Sequence, residues 1–287
     1  MTYDSPQALR AALEQRLNNR SAESAIPLDR LRRRVVFERL VARLERAEPG
    51  SWVLKGGMAL EVRLGDNARL TKDVDLGLRE TTADATALRE RLIDALDVDL
   101  DGDGFVFVVG RVEQMAEDGA GHLSWRAPVQ VSLAGRAFGG IKVDISPRPH
   151  ELEATDRLTI PSALDFAGAG PVAVEVVDVH RHAAEKLHAM LRDFGERENS
   201  RVRDLIDLML FLEHELLDPA ALAKNVADVW IERDGAAPPQ PFPVLPEGWP
   251  ARYERLATEH DVDPPSFSQA SARAAALWDE MFPTEEI

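Results

Sequence analysis

The sequence predicts an α+β protein in which an N-terminal lobe with a mixed sheet is followed by a helical C-terminal lobe. Short segments with alternating polar and apolar residues, which are typical of strands, occur before about residue 165. After about Pro171 the apolar residues recur every three or four positions, as they do along one face of a helix. We find no internal repeat, and we therefore expect two lobes, residues 1–165 and residues 166–287.

The order of elements follows from these patterns. Two helices come first, and a short strand then runs into Lys55-Gly56-Gly57. In the C-terminal lobe, six prolines between Pro238 and Pro250 exclude regular structure. The predicted helices cover residues 5–19, 27–47, 58–64, 86–96, 183–194, 205–212 and 266–281, and the predicted strands cover residues 51–54, 71–78, 105–112, 129–133 and 141–145.

Composition favours an ordinary globular protein. Of its 287 residues, 45% are hydrophobic and 29% are charged, and no apolar run has the length that a membrane span needs. The N-terminus carries no apolar signal-peptide core, and the absence of cysteine excludes disulfides and thiolate metal sites. We expect a cytoplasmic protein that has no contact with a membrane.

The net charge of −16 argues against a uniformly nucleic-acid-binding surface, but the charge is unevenly distributed. Arginines crowd the second predicted helix, and Arg30, Arg33 and Arg34 are candidates for contacting an RNA backbone. A solvated helix face explains the same arginines almost as well.

Three aspartates have the spacing of a metal site. Asp73 and Asp75 lie two residues apart in a predicted strand, so their side chains project from one face. Asp144 lies in another predicted strand and is a candidate third ligand. Oxygen ligands of this kind suit Mg²⁺ or Mn²⁺, and two such ions can orient a triphosphate for in-line displacement.

Lys55-Gly56-Gly57 follows a strand and opens a helix. Glycine allows the backbone to approach a phosphate closely, and the free N–H groups of a helix N-terminus attract anions. Alone, this segment is better explained by a tight turn. Its pairing with Asp73 and Asp75 predicts a site for a nucleoside triphosphate (NTP) and metal.

These motifs resemble those of the AbiEii nucleotidyltransferases, toxins of bacterial toxin–antitoxin systems, and within them the MenT toxins of mycobacteria. The segments that carry the resemblance are 55–60 (Lys-Gly-Gly-Met-Ala-Leu), 70–75 (Leu-Thr-Lys-Asp-Val-Asp), 185–189 (Glu-Lys-Leu-His-Ala) and 203–208 (Arg-Asp-Leu-Ile-Asp-Leu). The resemblance covers about residues 30–215. Met58 departs from the family, where a serine or threonine is frequent at this position, and this puts a hydroxyl contact to phosphate in doubt.

The resemblance implies a fold, a reaction and further site residues. It implies a polymerase-beta-like lobe whose site is completed by the helical lobe, and transfer of a nucleoside monophosphate from an NTP to the 3′ end of tRNA, which blocks translation. It implies a phosphate contact for Lys186, a nucleotide contact for Asp204 and a catalytic role for Asp207. Arg203 either pairs with these carboxylates or contacts RNA. An antitoxin encoded nearby is the implied partner, and we expect a monomer.

Two other functions stay open. The same chemistry could act on a hydroxyl of a protein or of a small molecule, or the chain could bind RNA or a partner without catalysis. The acidic segment Asp97–Asp103 resembles the start of a calcium-binding loop, but a strand pattern follows it, so we interpret it as an acidic loop. We expect His180, His182 and His188 at the surface or beside the site, and the five tryptophans mostly in the core.

Overall fold

The computed structural model describes residues 3–24, 26–69, 71–80, 84–115 and 123–283. The chain forms two compact units. The α/β unit contains residues 1–63 and 70–177, and the helical unit contains residues 64–69 and 178–287.

The α/β unit is built on one eight-stranded sheet. Its strand order is β3-β5-β6-β2-β1-β8-β7, and β4 also pairs with β5. The strands are β1 (Trp52–Lys55), β2 (Asp73–Leu78), β3 (Phe105–Val109), β4 (Glu113–Gln114), β5 (Trp125–Leu133), β6 (Arg136–Ser146), β7 (Thr155–Ile160) and β8 (Val172–Val177). The helices of this unit are α1 (Pro6–Ser24), α2 (Leu28–Ala47), α3 (Gly56–Leu64) and α4 (Ala85–Leu96).

The sheet is mixed, as the sequence predicts. β2 lies between β1, which is antiparallel to it, and β6, which is parallel to it. Helix α2 packs against β6 and β8, while α1 packs against β5 and α4 against β3. Alternate residues of β5 and β6 are therefore buried, and the fold class predicted above is confirmed.

The sequence analysis missed three strands, β4, β7 and β8. Residues 172–177 (Val-Ala-Val-Glu-Val-Val) form β8, which lies between β1 and β7 and runs parallel to β1, although the pattern after Pro171 predicts helix. A short apolar run does not distinguish a buried strand from a buried helix. Because β7 and β8 pair with each other, the α/β unit extends to Val177 rather than to residue 165.

Part of the arginine-rich helix is core. Arg39 and Arg43 are buried, and both nitrogens of one Arg43 edge donate to Asp103, at 2.9 and 2.6 Å. Asp103, which is also buried, belongs to the acidic loop that resembles a calcium site. Arg39 and Arg43 therefore do not lie on a solvated helix face, and Asp103 of the acidic loop supplies a counter-ion to α2.

The helical unit consists of five helices in its described part: α5 (Val179–Leu191), α6 (Val202–Glu213), α7 (Pro219–Asp234), α8 (Pro250–His260) and α9 (Phe267–Met281). Asp178 caps α5 by accepting hydrogen bonds from the backbone N–H groups of His180 and Arg181. No helix or strand lies between α7 and α8, as the prolines predict. None of the described helices combines the length and apolar character that a membrane crossing requires.

Two of the three histidines are not at the surface, and a place beside the site stays a prediction for them. His182 and His188 are buried, and each ring contacts an aromatic ring edge-on, Phe211 and Trp230 respectively. Burial lowers the pKa of His188, although Asp234 opposes that shift. All five tryptophans are buried, as expected.

Candidate active site

The predicted carboxylates lie on neighbouring strands. Asp73 and Asp75 are on β2, and the parallel register sets Asp75 directly opposite Asp144 on β6. On the other side of β2, Lys55 is the cross-strand neighbour of Asp75. Cross-strand neighbours share a face of the sheet, so Lys55, Asp75 and Asp144 form one row across three strands. Asp73 lies two residues before Asp75 on β2 and projects from the same face. We call Asp73, Asp75 and Asp144 together the carboxylate row.

The glycine turn lies against this row. Gly56 has a positive φ of +56°, which favours glycine, and a Cβ added to it would lie 1.9 Å from Oδ2 of Asp75. Only a residue without a side chain therefore fits here. Gly56 begins α3, so its first backbone N–H groups start beside the Asp75 carboxylate.

Asp144 is held by a residue that the sequence did not reveal. Arg126, its cross-strand neighbour on β5, donates to both oxygens of the Asp144 carboxylate, at 2.7 and 2.6 Å. The pKa of Arg126 is raised by the hydrogen bond to Asp144, and the charges of Asp144, Asp73 and Asp75 add to the shift. The guanidinium of Arg126 thus interacts electrostatically with all three aspartates of the row. Its side chain is 39% exposed.

Lys55 is buried and ion-paired. Its Nζ lies 2.5 Å from Oε2 of Glu151, and Arg148 lies 3.2 Å from the other oxygen of the same carboxylate. Glu151 lies in a short 3-10 helix, Pro149–Leu152, between β6 and β7, and Arg148 directly precedes this helix. The amino group is therefore held in place beside β2, and its predicted contact with a triphosphate stays a prediction.

The donor set of the row suits a hard divalent ion. All three side chains offer carboxylate oxygens, and each is partly exposed. Among the described residues, however, no three or more histidine, aspartate or glutamate side chains are arranged to hold a metal as they stand. Metal binding by Asp73, Asp75 and Asp144 together stays a prediction, and it requires the Asp144 carboxylate to turn from Arg126.

A second charged cluster lies within the helical unit. Lys186 on α5 contacts two carboxylates of α6, with Nζ 2.6 Å from Oδ2 of Asp207 and 3.1 Å from Oδ1 of Asp204. Arg69 donates to both oxygens of Asp207, at 2.5 and 2.8 Å. We call Lys186, Asp204, Asp207 and Arg69 the ion-pair quartet.

Burial and charge compete within the quartet, and charge dominates. Burial raises the pKa of Asp207, but the charges and hydrogen bonds of Lys186 and Arg69 hold it well below its ordinary value. Burial likewise lowers the pKa of Lys186, yet Asp207 and Asp204 raise it above its ordinary value. Both groups are therefore ionised at neutral pH. Lys186, Asp204 and Asp207 are thus buried, paired charges rather than solvated surface residues.

The candidate RNA contacts lie in different surroundings. Arg30, Arg33 and Arg34 line one small cavity together with Met58, Glu61 and Thr71. Arg34 is 2.6 Å from Glu61, and Arg30 is 3.9 Å from the same carboxylate. Arg203 is exposed, and it is Arg201 rather than Arg203 that approaches Asp204, at 3.8 Å.

Sequence reasoning missed three charged residues that define these surroundings: Arg126, Glu151 and Arg69. Of these, Arg126 carried a usable signal, because it occupies a strand pattern and alternates in phase with the exposed face of β5. Glu151 and Arg69 are separated from their partners by 96 and 138 residues, and no local pattern connects residues over such distances.

Comparisons with known proteins identify a family for this chain. The family model described as nucleotidyl transferase AbiEii toxin, type IV toxin–antitoxin system, matches residues 39–278. That range contains the carboxylate row, the glycine turn and the quartet. No curated protein matches the chain in sequence.

Among solved structures, MenT4, a nucleotidyltransferase toxin from Mycobacterium tuberculosis, is similar with a TM-score of 0.58 and 20% identity. The match covers 96% of this chain and 90% of that one, and it shows a shared fold. An antigenic nucleotidyltransferase-like protein from Paracoccidioides brasiliensis matches at 17% identity over 70% of this chain and 89% of that one, with a TM-score of 0.36. The Megavirus polyadenylate synthase matches at 12% identity over 74% and 36%, with a TM-score of 0.35, and neither of these low scores supports an argument.

Proposed function

The chain belongs to the AbiEii family of nucleotidyl transferase toxins of type IV toxin–antitoxin systems, and on that premise we propose that it transfers a nucleoside monophosphate from an NTP to the 3′ end of tRNA. It is a nucleotidyltransferase by its family and its fold. The observation that supports the chemistry best is the register that sets Asp75 opposite Asp144, with Gly56 against Asp75.

In the proposed reaction the terminal hydroxyl of the acceptor attacks the α-phosphorus of the NTP. A phosphodiester bond forms, the bond to the β-phosphate oxygen breaks, and pyrophosphate leaves. Asp73, Asp75 and Asp144 would hold Mg²⁺ or Mn²⁺, which supplies positive charge to the triphosphate and the attacking oxygen. Asp144 accepts the hydroxyl proton, and the N–H groups at Gly56 and Gly57 bind phosphate oxygens.

The buried charges near this turn act as positioning groups. Glu151 fixes the amino group of Lys55, so the lysine adds positive charge close to Asp75 without moving. Fixed groups of this kind stabilise developing charge without reorganising during the reaction. We assign Lys55 to triphosphate neutralisation on this ground.

Three residues of the quartet enter the proposal through the family motifs that they match. Lys186 contacts a phosphate of the nucleotide, Asp204 contacts the nucleotide, and Asp207 holds Lys186 in its ionised form. If this role is correct, Lys186→Met raises the KM for NTP more than it lowers kcat. A purely structural role instead changes stability with no change in KM.

The partners follow from the substrate. Arg30, Arg33, Arg34 and Arg203 are proposed to contact the tRNA backbone, and an antitoxin encoded nearby relieves the block in translation. Because tRNA and NTPs are cytoplasmic, the reaction takes place there. Thr71, just before β2, lines the same small cavity as the three α2 arginines.

The test is a comparison of acceptors. The protein is incubated with each α-labelled NTP, Mg²⁺ and either total tRNA, a cell protein extract or a set of aminoglycosides. We expect label on tRNA that is lost when the 3′ hydroxyl is oxidised by periodate. Label on protein or on an aminoglycoside would replace the tRNA acceptor, and the absence of label from every acceptor would overturn the proposed activity.

A further inference from the structure

The sheet of the α/β unit has one face that extends beyond the carboxylate row. Helices α1, α2 and α4 pack against the opposite face, where alternate residues of β3, β5 and β6 are buried. The other set of side chains is partly or fully exposed. Two of them are large and apolar, Val106 and Val108, with 55% and 59% of their surfaces exposed.

Strand register shows how this exposed set continues from the row. Asp75, Asp144 and Arg126 are cross-strand neighbours, and the next row on the same face contains Asp73, Lys142 and Pro128. A third row contains Gly140, Gln130 and Val108, and Ser132 pairs with Val106 beyond it. At about 3.3 Å per residue, the third row lies roughly 13 Å from Asp144 along β6.

Lys142 is the cation best placed on this face. Its side chain is exposed, and it makes no ion pair or hydrogen bond with another of the described residues. Its cross-strand neighbour is Asp73 of the carboxylate row. A nucleic-acid chain whose 3′ hydroxyl reaches the carboxylate row also brings its last phosphates close to three carboxylates. A cation beside the row offsets the resulting repulsion.

We propose that Lys142, Gln130, Gly140, Val106 and Val108, which we call the acceptor face, bind the 3′-terminal segment of a single-stranded nucleic acid. Lys142 contacts the phosphate nearest the terminal hydroxyl, and the valines contact bases. Gln130 hydrogen-bonds to a base edge, and the lack of a side chain at Gly140 leaves room for it, since a Cβ there would lie 3.0 Å from its Oε1. This inference rests on the proposed function and names the surface that holds its acceptor.

The edge of the sheet favours nucleic acid over an extended peptide. A peptide commonly binds by adding a strand to an exposed edge, and β3 is such an edge. Its carbonyl groups are partly occupied, because Arg43 donates to Phe105 O and Arg89 donates to Val109 O. The flat exposed face, with its cation, is thus the better recognition surface.

The experiment measures binding without catalysis. Fluorescence anisotropy gives the Kd of a 5′-labelled short single-stranded RNA and of tRNA at several salt concentrations. We expect Lys142→Gln to raise Kd about tenfold and to lower the salt slope by about 1. Val106→Thr with Val108→Thr keeps strand propensity and should raise Kd about threefold at an unchanged slope. Lys224→Gln, an exposed lysine of α7, is the matched control and should change neither quantity.

The outcomes separate this inference from the proposed function. If Lys142→Gln and the double valine variant bind RNA as the wild type does, the acceptor face is wrong even where wild-type protein labels tRNA. If RNA binding depends on Lys142 but no nucleotide is transferred, the face stands and the proposed activity fails. Label on protein together with no measurable RNA binding overturns both.

Discussion

The two charged clusters of the molecule differ in the way their charges are balanced. The ion-pair quartet is buried and contains two positive and two negative side chains that contact one another. The carboxylate row places three partly exposed carboxylates on adjacent strands. The partly exposed guanidinium of Arg126 lies beside Asp144, and Lys55, beside Asp75, is already paired with Glu151. A buried cluster whose charges neutralise one another is strongly destabilised when one partner is removed, whereas an accessible group of like charges attracts a cationic ligand. We therefore expect metal binding at the row, and we expect the quartet to combine a structural role with its proposed nucleotide contacts.

The largest expected effect is on the row. Asp73→Asn should lower the rate of nucleotide transfer about a thousandfold, the size typical of removing a group that stabilises transition-state charge. The folded structure should persist, because Asp73 is partly exposed at the start of β2. Initial rates and the far-UV circular dichroism spectrum check both statements. Asp94→Asn, on the exposed side of α4, is the control and should keep wild-type activity.

The next effect is on the quartet. Asp207→Asn leaves Lys186 and Arg69 without their shared buried carboxylate and should cost about 3–5 kcal/mol of unfolding free energy. Because the pKa of Asp207 is depressed, this stabilisation is present above pH 3.8 and is lost as the pH falls through the folded-state value. Urea denaturation at pH 7 measures the cost. Equal stability of Asp207→Asn and the exposed variant Arg203→Gln would remove the distinction between the clusters.

Glu38 is a buried carboxylate outside both clusters, and it tests the effect of burial on a single charged side chain. Glu38 on α2 is 2% exposed, and burial raises its pKa to about 7, although Arg39 opposes the shift. The folded state therefore binds this proton more tightly than the unfolded chain does. The stabilisation is complete below pH 4.5 and is lost as the pH rises through 7, by up to roughly 3 kcal/mol.

Glu38→Gln isolates this contribution. The variant should unfold with a higher free energy than the wild type at pH 8, and the difference should shrink towards pH 5. Chemical denaturation across that range is the measurement. Parallel pH profiles for the two proteins would show that Glu38 does not titrate in this way.

The smallest expected effect concerns Arg126. A half-exposed ion pair is worth at most about 1 kcal/mol, so freeing Asp144 by Arg126→Gln should tighten Mn²⁺ binding about two- to fivefold. Titration followed by electron paramagnetic resonance reports free Mn²⁺ directly. Weaker binding in this variant would mean that Arg126 organises the row instead of competing for it.

The sequence predicted the row better than its surroundings, for a physical reason. Asp73 and Asp75 are two residues apart, so in a strand their side chains project from the same face. Asp144 lies in a second predicted strand, and it was therefore a candidate third ligand. The spacing of residues within one segment says nothing about a partner such as Glu151, which is 96 residues from Lys55. The strand β8 was missed because its short, mostly apolar run is compatible with either a buried strand or a buried helix segment.

The ion-pair quartet was also only partly predictable from the sequence. The resemblance to the family singled out Lys186, Asp204 and Asp207. Arg69, which completes the cluster, lies in the six-residue segment 64–69 that joins the helical unit although the chain on both sides of it belongs to the α/β unit. Local hydrophobic periodicity does not reveal that a short segment belongs to a different unit from the chain on both sides of it.

The most direct test of the central claim follows the two ends of the triphosphate. Wild-type protein and Asp75→Asn are incubated with tRNA and Mg²⁺ in parallel reactions with α-labelled and γ-labelled NTP. The account predicts that the α label becomes attached to tRNA, that the γ label is released as pyrophosphate in equal amount, and that Asp75→Asn does neither. Attachment of the γ label to an acceptor, or wild-type transfer by Asp75→Asn, would contradict it.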